Sequence, residues 1–324
     1  MNRENFIELP LKDQLYKKVQ SYIKTIWATK VDHNKLNNWL DNFQGIDDDP
    51  DEKEKLNMLF LLSKFSFLGD TEIRALLKAL YRDLFKRPII QKIRRRLNDT
   101  LDHGIINDEF IKEFKATKFV AVGGVSESGA MLMYRFRQEN VIPEPSIVSQ
   151  SNILHKIKID AETINFELSD TSVSRYIFID DFIGTGIQGK QKLKDDVRLM
   201  KSLNNDLEIN YYVLVATDDG LKALKDLNLF SSVKSVFTLD DTFKAFDDSS
   251  RYYKTSLEGI DSNFAKNTAL KYGTDLCRGQ ELGFGDCQLL FGFEHNTPDN
   301  SIPIFWGEEN NWKHIFKRFI KLPE

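Results

Sequence analysis

Residues 176 to 188 read Tyr-Ile-Phe-Ile-Asp-Asp-Phe-Ile-Gly-Thr-Gly-Ile-Gln, an apolar run that ends in two carboxylates before a Gly-Thr-Gly turn opens a helix. The β-branched and aromatic residues at 176–179 suit a strand buried on both faces, as strands of a parallel sheet are. Asp180 and Asp181 are then expected at its carboxyl end, where open α/β sheets bind ligands. Gly184 and Gly186 let the backbone turn sharply and aim several N–H groups at one point, while Thr185 and Gln188 add side-chain donors at the helix start. An anion fits such a turn. Two acids beside it suit a ligand with a phosphate at one end and hydroxyls or a magnesium ion at the other. Phosphorylated ribose is such a ligand. The alternative reading is a buried strand, an acidic N-cap and a glycine turn, which any α/β protein can carry.

Upstream, residues 118 to 135 read Lys-Phe-Val-Ala-Val-Gly-Gly-Val-Ser-Glu-Ser-Gly-Ala-Met-Leu-Met-Tyr-Arg, again strand, loop and helix. Gly123, Gly124 and Gly129 with Ser126 and Ser128 form a turn that can present N–H groups to pyrophosphate at a helix amino end. Glu127 would repel that anion unless a metal lay between them. A plain glycine turn closing a βα unit is the alternative, and Arg135 and Arg137 read most simply as the solvated end of the helix. Downstream, Leu193, Val197 and Met200 mark a helix and 209–217 a strand. Leu221, Leu224 and Leu227 mark another helix behind Asp218 and Asp219, and 233–239 the next strand. This βαβαβ rhythm predicts an α/β fold, a mostly parallel sheet with flanking helices of Rossmann type.

Before the sheet, 11–115 has helical apolar spacing and almost no glycine, so an all-helical region over 1–116 is expected ahead of an α/β domain over 117–324. Its clearest helix starts at Asp70 and repeats apolar residues at Ile73, Leu76, Leu77, Leu80, Tyr81, Leu84 and Phe85, with Pro88 ending or kinking it. The acidic stretch 47–52 reads as a linker. The basic run 92–96 reads as a solvated helix face, with RNA, DNA or an acidic partner as the alternative.

Residues 143–170 carry weak strand signals near Ile147 and over 164–168, with His155, Lys156 and Lys158 in an expected exposed basic turn. Asp240, Asp241, Asp247 and Asp248 lack calcium-loop spacing and read as solvated loop. Residues 249–276 are expected to be irregular, with Tyr252 and Tyr253 as possible aromatic walls. Gln288 to Phe293 reads as a strand, and the polar loop with His295, Asn296 and Asn300 can form a hood over a ligand or merely lock itself. Trp312, Ile315, Phe316, Phe319 and Ile320 predict a closing amphipathic helix.

The chain has 324 residues, with 45 Lys and Arg against 49 Asp and Glu and a formal charge of −4. That balance gives no global electrostatic case for nucleic acid. Cys277 and Cys287 show neither metal spacing nor disulfide logic, so a reducing, cytoplasmic setting is expected. The amino terminus lacks the apolar stretch of a signal peptide and Val213 to Ala216 is far too short to cross a bilayer, so no membrane role is expected.

The 176–188 segment resembles the phosphoribosyl-pyrophosphate loop of type I phosphoribosyltransferases: apolar residues, two acids, two mostly apolar residues, then small-Thr-Gly-any-Thr/Ser. Gln188 stands where that family has a hydroxyl. The resemblance implies that Asp180 and Asp181 hold the ribose hydroxyls and act in catalysis, with magnesium bound indirectly. It implies that Gly184, Thr185, Gly186 and Gln188 bind the 5′-phosphate, and that Gly123, Gly124, Ser126, Ser128 and Gly129 bind pyrophosphate. By position alone, His155, Lys156 and Lys158 match that family's mobile cationic loop. The tail, Gly283-Phe-Gly-Asp-Cys-Gln-Leu-Leu290 with Glu-His-Asn-Thr-Pro-Asp-Asn and Ile-Pro-Ile-Phe-Trp, resembles a bacterial phosphoribosyltransferase-like group associated with conflict systems, including antiphage defence. Phosphoribosyl pyrophosphate or a nucleotide is the implied ligand, with Mg2+ as cofactor. The helical front is a candidate surface for a protein partner. A transferase and a non-catalytic sensor of nucleotides or sugar phosphates are the competing functions, and a toxin-like effector is a third.

Overall fold

The computed structural model of the chain describes residues 9–27, 30–45, 51–123, 128–158 and 164–319. In chain order the front carries α1 (Leu11–Thr25), α2 (His33–Leu40), α3 (Asp51–Leu62), the short strand β1 (Ser66–Leu68), α4 (Asp70–Ala79), α5 (Arg87–Arg96) and α6 (His103–Lys115). The middle holds β2 (Thr117–Ala121), α7 (Ser128–Asn140), β3 (Ile147–Val148), β4 (Leu154–Lys158), β5 (Ile164–Leu168) and β6 (Arg175–Ile183). There follow α8 (Ile187–Leu203), β7 (Glu208–Thr217), α9 (Asp218–Lys225) and β8 (Ser232–Leu239), and the tail adds α10 (Ser262–Leu276) and β9 (Phe291–Phe293).

Thr71–Leu239 forms one unit around a five-stranded sheet of order β3-β2-β6-β7-β8, parallel throughout. Strand alternation sorts its side chains. Phe119, opposite Ile177 in register, packs against Phe85, Phe114 and Phe136, which covers that face with helices from the front and with α7. Val120, opposite Phe178, joins Tyr211, Val213, Leu193, Val197, Met200, Leu221 and Leu224 in a core on the other face, covered by α8 and α9. The fold class read from the sequence is the one observed, and the strands over 209–217 and 233–239 lie within β7 and β8.

Several local expectations are corrected. The helix begun at Asp70 does not end at Pro88, because 80–86 forms a π-helix in which the Arg87 N–H donates to the Arg82 carbonyl. The helical run continues into α5, and the wider π-step directly before Pro88 accommodates a residue that lacks an N–H inside it. The expected basic turn is β4, paired antiparallel with β5 so that His155 faces Glu167 and Lys156 faces Phe166 across the ribbon.

Met1–Asp70 and Asp240–Glu324 form the other unit, so the 1–116 and 117–324 division does not match the compact parts. The front is not all-helical either, since β1 pairs in parallel with β9. A buried aromatic core explains why both ends of the chain are needed: Phe316 stacks on Phe65 at 4.2 Å and meets Trp27 edge-on, while Trp39 stacks on Phe305. The 249–276 stretch is not wholly irregular, because α10 occupies its second half behind the N-cap Asp261, which accepts from the Phe264 N–H. The closing helix is absent over 312–319: the N–H groups of Ile315 and Phe316 both donate to the Phe305 carbonyl, which removes them from any helical ladder. Ile320 and residues 47–50 of the acidic linker lie outside the described residues.

Candidate functional site

At β2 the chain reverses its direction of travel across the sheet, with β3 on one side and β6 on the other. The helices that leave these strands, α7 and α8, cover opposite faces, which opens a crevice at the carboxyl ends of β2 and β6. Both glycine loops read from the sequence emerge there. Val122 leaves β2 beside Ile179, its N–H donating to the Ile179 carbonyl at 3.1 Å, one residue before the paired acids. Gly123 follows with φ of 99°. Gly124, Ser126 and Glu127 lie outside the described residues, and Ser128 is described only as the first residue of α7. Gly129 is packed so tightly that a Cβ would stand 2.8 Å from the Val122 carbonyl oxygen, so the first turn of α7 lies directly against the end of β2.

The second loop is braced from behind. β6 runs through Ile183, four residues further than its apolar run 176–179, so Asp180 and Asp181 lie within the paired strand and not beyond it. Gly184 and Gly186 are buried, Thr185 is half-buried and Gln188 is exposed. Gly186 takes φ of 78° and serves as N-cap of α8, so the loop's backbone meets the positive end of a 17-residue helix. Thr217, at the end of β7, donates its hydroxyl to the Gly184 carbonyl at 2.6 Å and accepts from the Gly220 N–H at 3.0 Å. Gly220 permits this closeness, since a Cβ there would stand 2.0 Å from the Gly184 oxygen. Thr217 and Gly220 are site-building residues that the sequence reading did not single out; the only signal was a glycine in the first turn of a helix after a strand.

Strand alternation places the two acids on opposite faces. Asp180 shares the face of Phe178 and Tyr211. Its Oδ2 accepts from the Tyr211 hydroxyl at 2.8 Å and its Oδ1 from the Asp181 N–H at 2.9 Å. Burial first, and the neighbouring Asp181 charge second, hold its carboxyl well above the usual carboxylate range. Burial and Asp180 likewise push the Tyr211 phenol up. Gly189 on α8 seats the ring: a Cβ there would meet Tyr211 at 2.9 Å. Asp181, half-buried, belongs to the face of Ile177 and Ile179, the face that α7 covers.

The hood candidates belong to the other unit. Asn300 is buried and donates to the Phe284 carbonyl at 2.9 Å, Asn296 accepts from the Phe319 N–H at 2.9 Å, and the His295 ring stacks on Phe293. Their described contacts lock the tail's own loops. His155 and Lys156 are exposed on β4, and Arg137 reaches Glu144 at 3.8 Å. Asp240 and Asp247 accept from Thr242 and Ser249 as turn-forming acids. Among the described residues no group of three or more His, Cys, Asp or Glu could hold a metal ion, and no helix is long and apolar enough to cross a membrane.

Comparison with known proteins adds the family. The sequence model described as PRTase-CE matches residues 36–318. No curated protein sequence matches the chain. Among solved structures, the chain is similar to an orotate phosphoribosyltransferase from Aeropyrum pernix, with 16% identity and TM-score 0.24, over 39% of this chain and 63% of that one. It is similar to the xanthine-guanine-hypoxanthine phosphoribosyltransferase of Helicobacter pylori, with 8% identity and TM-score 0.27, over 52% and 85% of the two chains. A third is the adenine phosphoribosyl transferase of Trypanosoma brucei, solved with AMP, pyrophosphate and ribose-5-phosphate, with 15% identity and TM-score 0.23, over 53% and 80%.

Proposed function

The chain belongs to the PRTase-CE family, and from that premise we propose that it binds phosphoribosyl pyrophosphate or a nucleotide in the crevice between β2 and β6 and transfers the phosphoribosyl group. One observation carries the reading: two glycine loops emerge side by side from adjacent parallel strands at the reversal point of the sheet, one of them on a helix amino end. In this reading the 184–188 backbone and the first turn of α8 hold the 5′-phosphate, and the 123–129 loop receives the pyrophosphate. The bond from the anomeric carbon to pyrophosphate oxygen breaks with its electron pair on the leaving group, and a bond to the acceptor forms. Positive charge develops on the ribose, and a carboxylate that orders the hydroxyls stabilises it. We assign that task to Asp181 and a positioning task to Asp180, whose two oxygens are engaged by Tyr211 and the Asp181 N–H.

Magnesium suits this donor set, because it is commonly held by one or two carboxylates together with substrate phosphates, not by an all-protein cage. Bound there, it would neutralise the leaving pyrophosphate. Calorimetry tests the reading. Phosphoribosyl pyrophosphate is expected to bind only with magnesium present and to lose at least tenfold in affinity in Asp181→Asn. Absence of binding with magnesium, or unchanged binding in that variant, contradicts it.

A non-catalytic sensor is the second reading, favoured by the engagement of Asp180 inside the protein. Tight binding without pyrophosphate release in the presence of every common base selects it. The tail's resemblance further supports an effector role in bacterial defence, and growth arrest on expression, abolished by Asp181→Ala, is the outcome it requires.

A further inference from the structure

The chain is acidic as a whole, yet one helical surface of the sheet-bearing unit is strongly basic. Arg82, Lys86, Arg87, Ile90, Gln91 and Arg94 line an open groove of about 390 Å3 along the π-helix and α5. The π-turn builds it. Its wide hydrogen-bond step, Arg87 N–H to Arg82 carbonyl, sets Arg82 one turn below Arg87. Asp83 lies between them, 2.7 Å from Arg82 and 3.5 Å from Arg87. Four cations therefore face the groove against one acid. Arg82 and Lys86 carry like charge one turn apart, and α5 contains no acid, so Arg87 and Arg94 gain no neutralising partner from their own helix. A polyanion in the groove would relieve that repulsion.

We propose that this groove binds the phosphodiester backbone of a nucleic acid. Arginine predominates among its cations, and a guanidinium matches phosphate oxygens in a two-pronged geometry that a lysine cannot make. At a rise of 1.5 Å per residue, Lys86 and Arg94 stand about 12 Å apart along the axis, the span of about three or four phosphates on one strand of a duplex. Arg82 and Arg87 are mostly exposed, with side chains about seven-tenths open to solvent. The groove-lining residues include no aromatic ring on which a base could stack, so recognition is of the backbone and independent of sequence. The surface is separate from the glycine loops and does not depend on the transferase reading.

Fluorescence anisotropy of the full chain with a labelled 20-nucleotide DNA, the matching RNA and a duplex tests this. Three neutralised phosphates give a slope of log affinity against log salt near about −2 for a single strand and about −3 for a duplex, and the tightest arm identifies the source. The triple variant Lys86→Ala/Arg87→Ala/Arg94→Ala is expected to lose at least tenfold, and the single charge reversal Arg87→Glu to weaken binding in the same direction. Lys222→Ala/Lys225→Ala on α9 should bind as the parent does. No binding at about 50 mM salt, or equal affinity in the parent, the triple variant and Arg87→Glu with circular dichroism unchanged, overturns the proposal. Competition by poly-glutamate as strong as by the oligonucleotides also overturns it, and assigns the groove to an acidic protein.

Discussion

Tyr211 reaches Asp180 from the neighbouring strand, and that contact divides two acids that the sequence presents as a pair. In Asp180→Asn the amide oxygen can keep the Asp181 N–H and the Tyr211 hydroxyl can turn to accept from the amide nitrogen, so both partners are retained while a charge that burial disfavours is removed. Its melting temperature is expected to stay at or above that of the parent at neutral pH, and its ligand affinity to fall far less than in Asp181→Asn. A thermal scan beside a calorimetric titration of both variants checks this, and equal losses in the two would refute the division. Gly220→Ala is the sharper change. A Cβ 2.0 Å from the Gly184 carbonyl forces backbone to move, so phosphate affinity should collapse even where far-UV circular dichroism is retained. The glycines of the turn were legible because their spacing is local. Thr217 and Gly220 were not, because they act on Gly184 from far along the chain, Thr217 across 33 residues, and only the fold brings them together.

The central strands could be read from apolar runs because both faces of a parallel strand are covered, so each run is continuous and flanked by glycine or acid turns. Elements that failed to read share a different physics. α10 buries mainly small residues, Ala265, Thr268 and Ala269, which give little periodic signal. The 312–319 segment has helical spacing, yet Phe305 captures the N–H groups of Ile315 and Phe316 and tertiary packing wins over local preference. β6 itself makes a prediction. Burial first, and Asp170 second, push the Tyr176 phenol up to about 12. Because this lies above the ordinary value near about 10, the stability it contributes is complete below pH about 10 and is lost as pH rises toward about 12. Alkaline denaturation should therefore be shallower over that window in Tyr176→Phe, followed by tryptophan fluorescence. Identical alkaline profiles would show that Tyr176 ionises as freely in the folded state.

At the scale of the molecule, the sequence pointed to a boundary near 116 because helical spacing gives way to strand there. The compact units divide otherwise, since chain ends distant in sequence share one core. Trp39 donates to the Ile304 carbonyl at 2.8 Å, and buried Glu54 accepts from Tyr272 at 2.7 Å and Lys271 at 3.1 Å. Removing residues 1–70 would strip β1 from β9 and empty that core. Amide exchange at 291–293 and 315–316 is expected to change from protected to fast in the truncated chain, while 209–217 stays protected. Continued protection of the tail would mean that it folds without the front. The central claim concerns the crevice of the sheet-bearing unit, and crystals soaked with ribose 5-phosphate test it most directly. The account predicts phosphate density on the backbone N–H groups of 184–188, with the sugar toward Asp181. Phosphate bound elsewhere, with the 184–186 turn unchanged and empty, would contradict it.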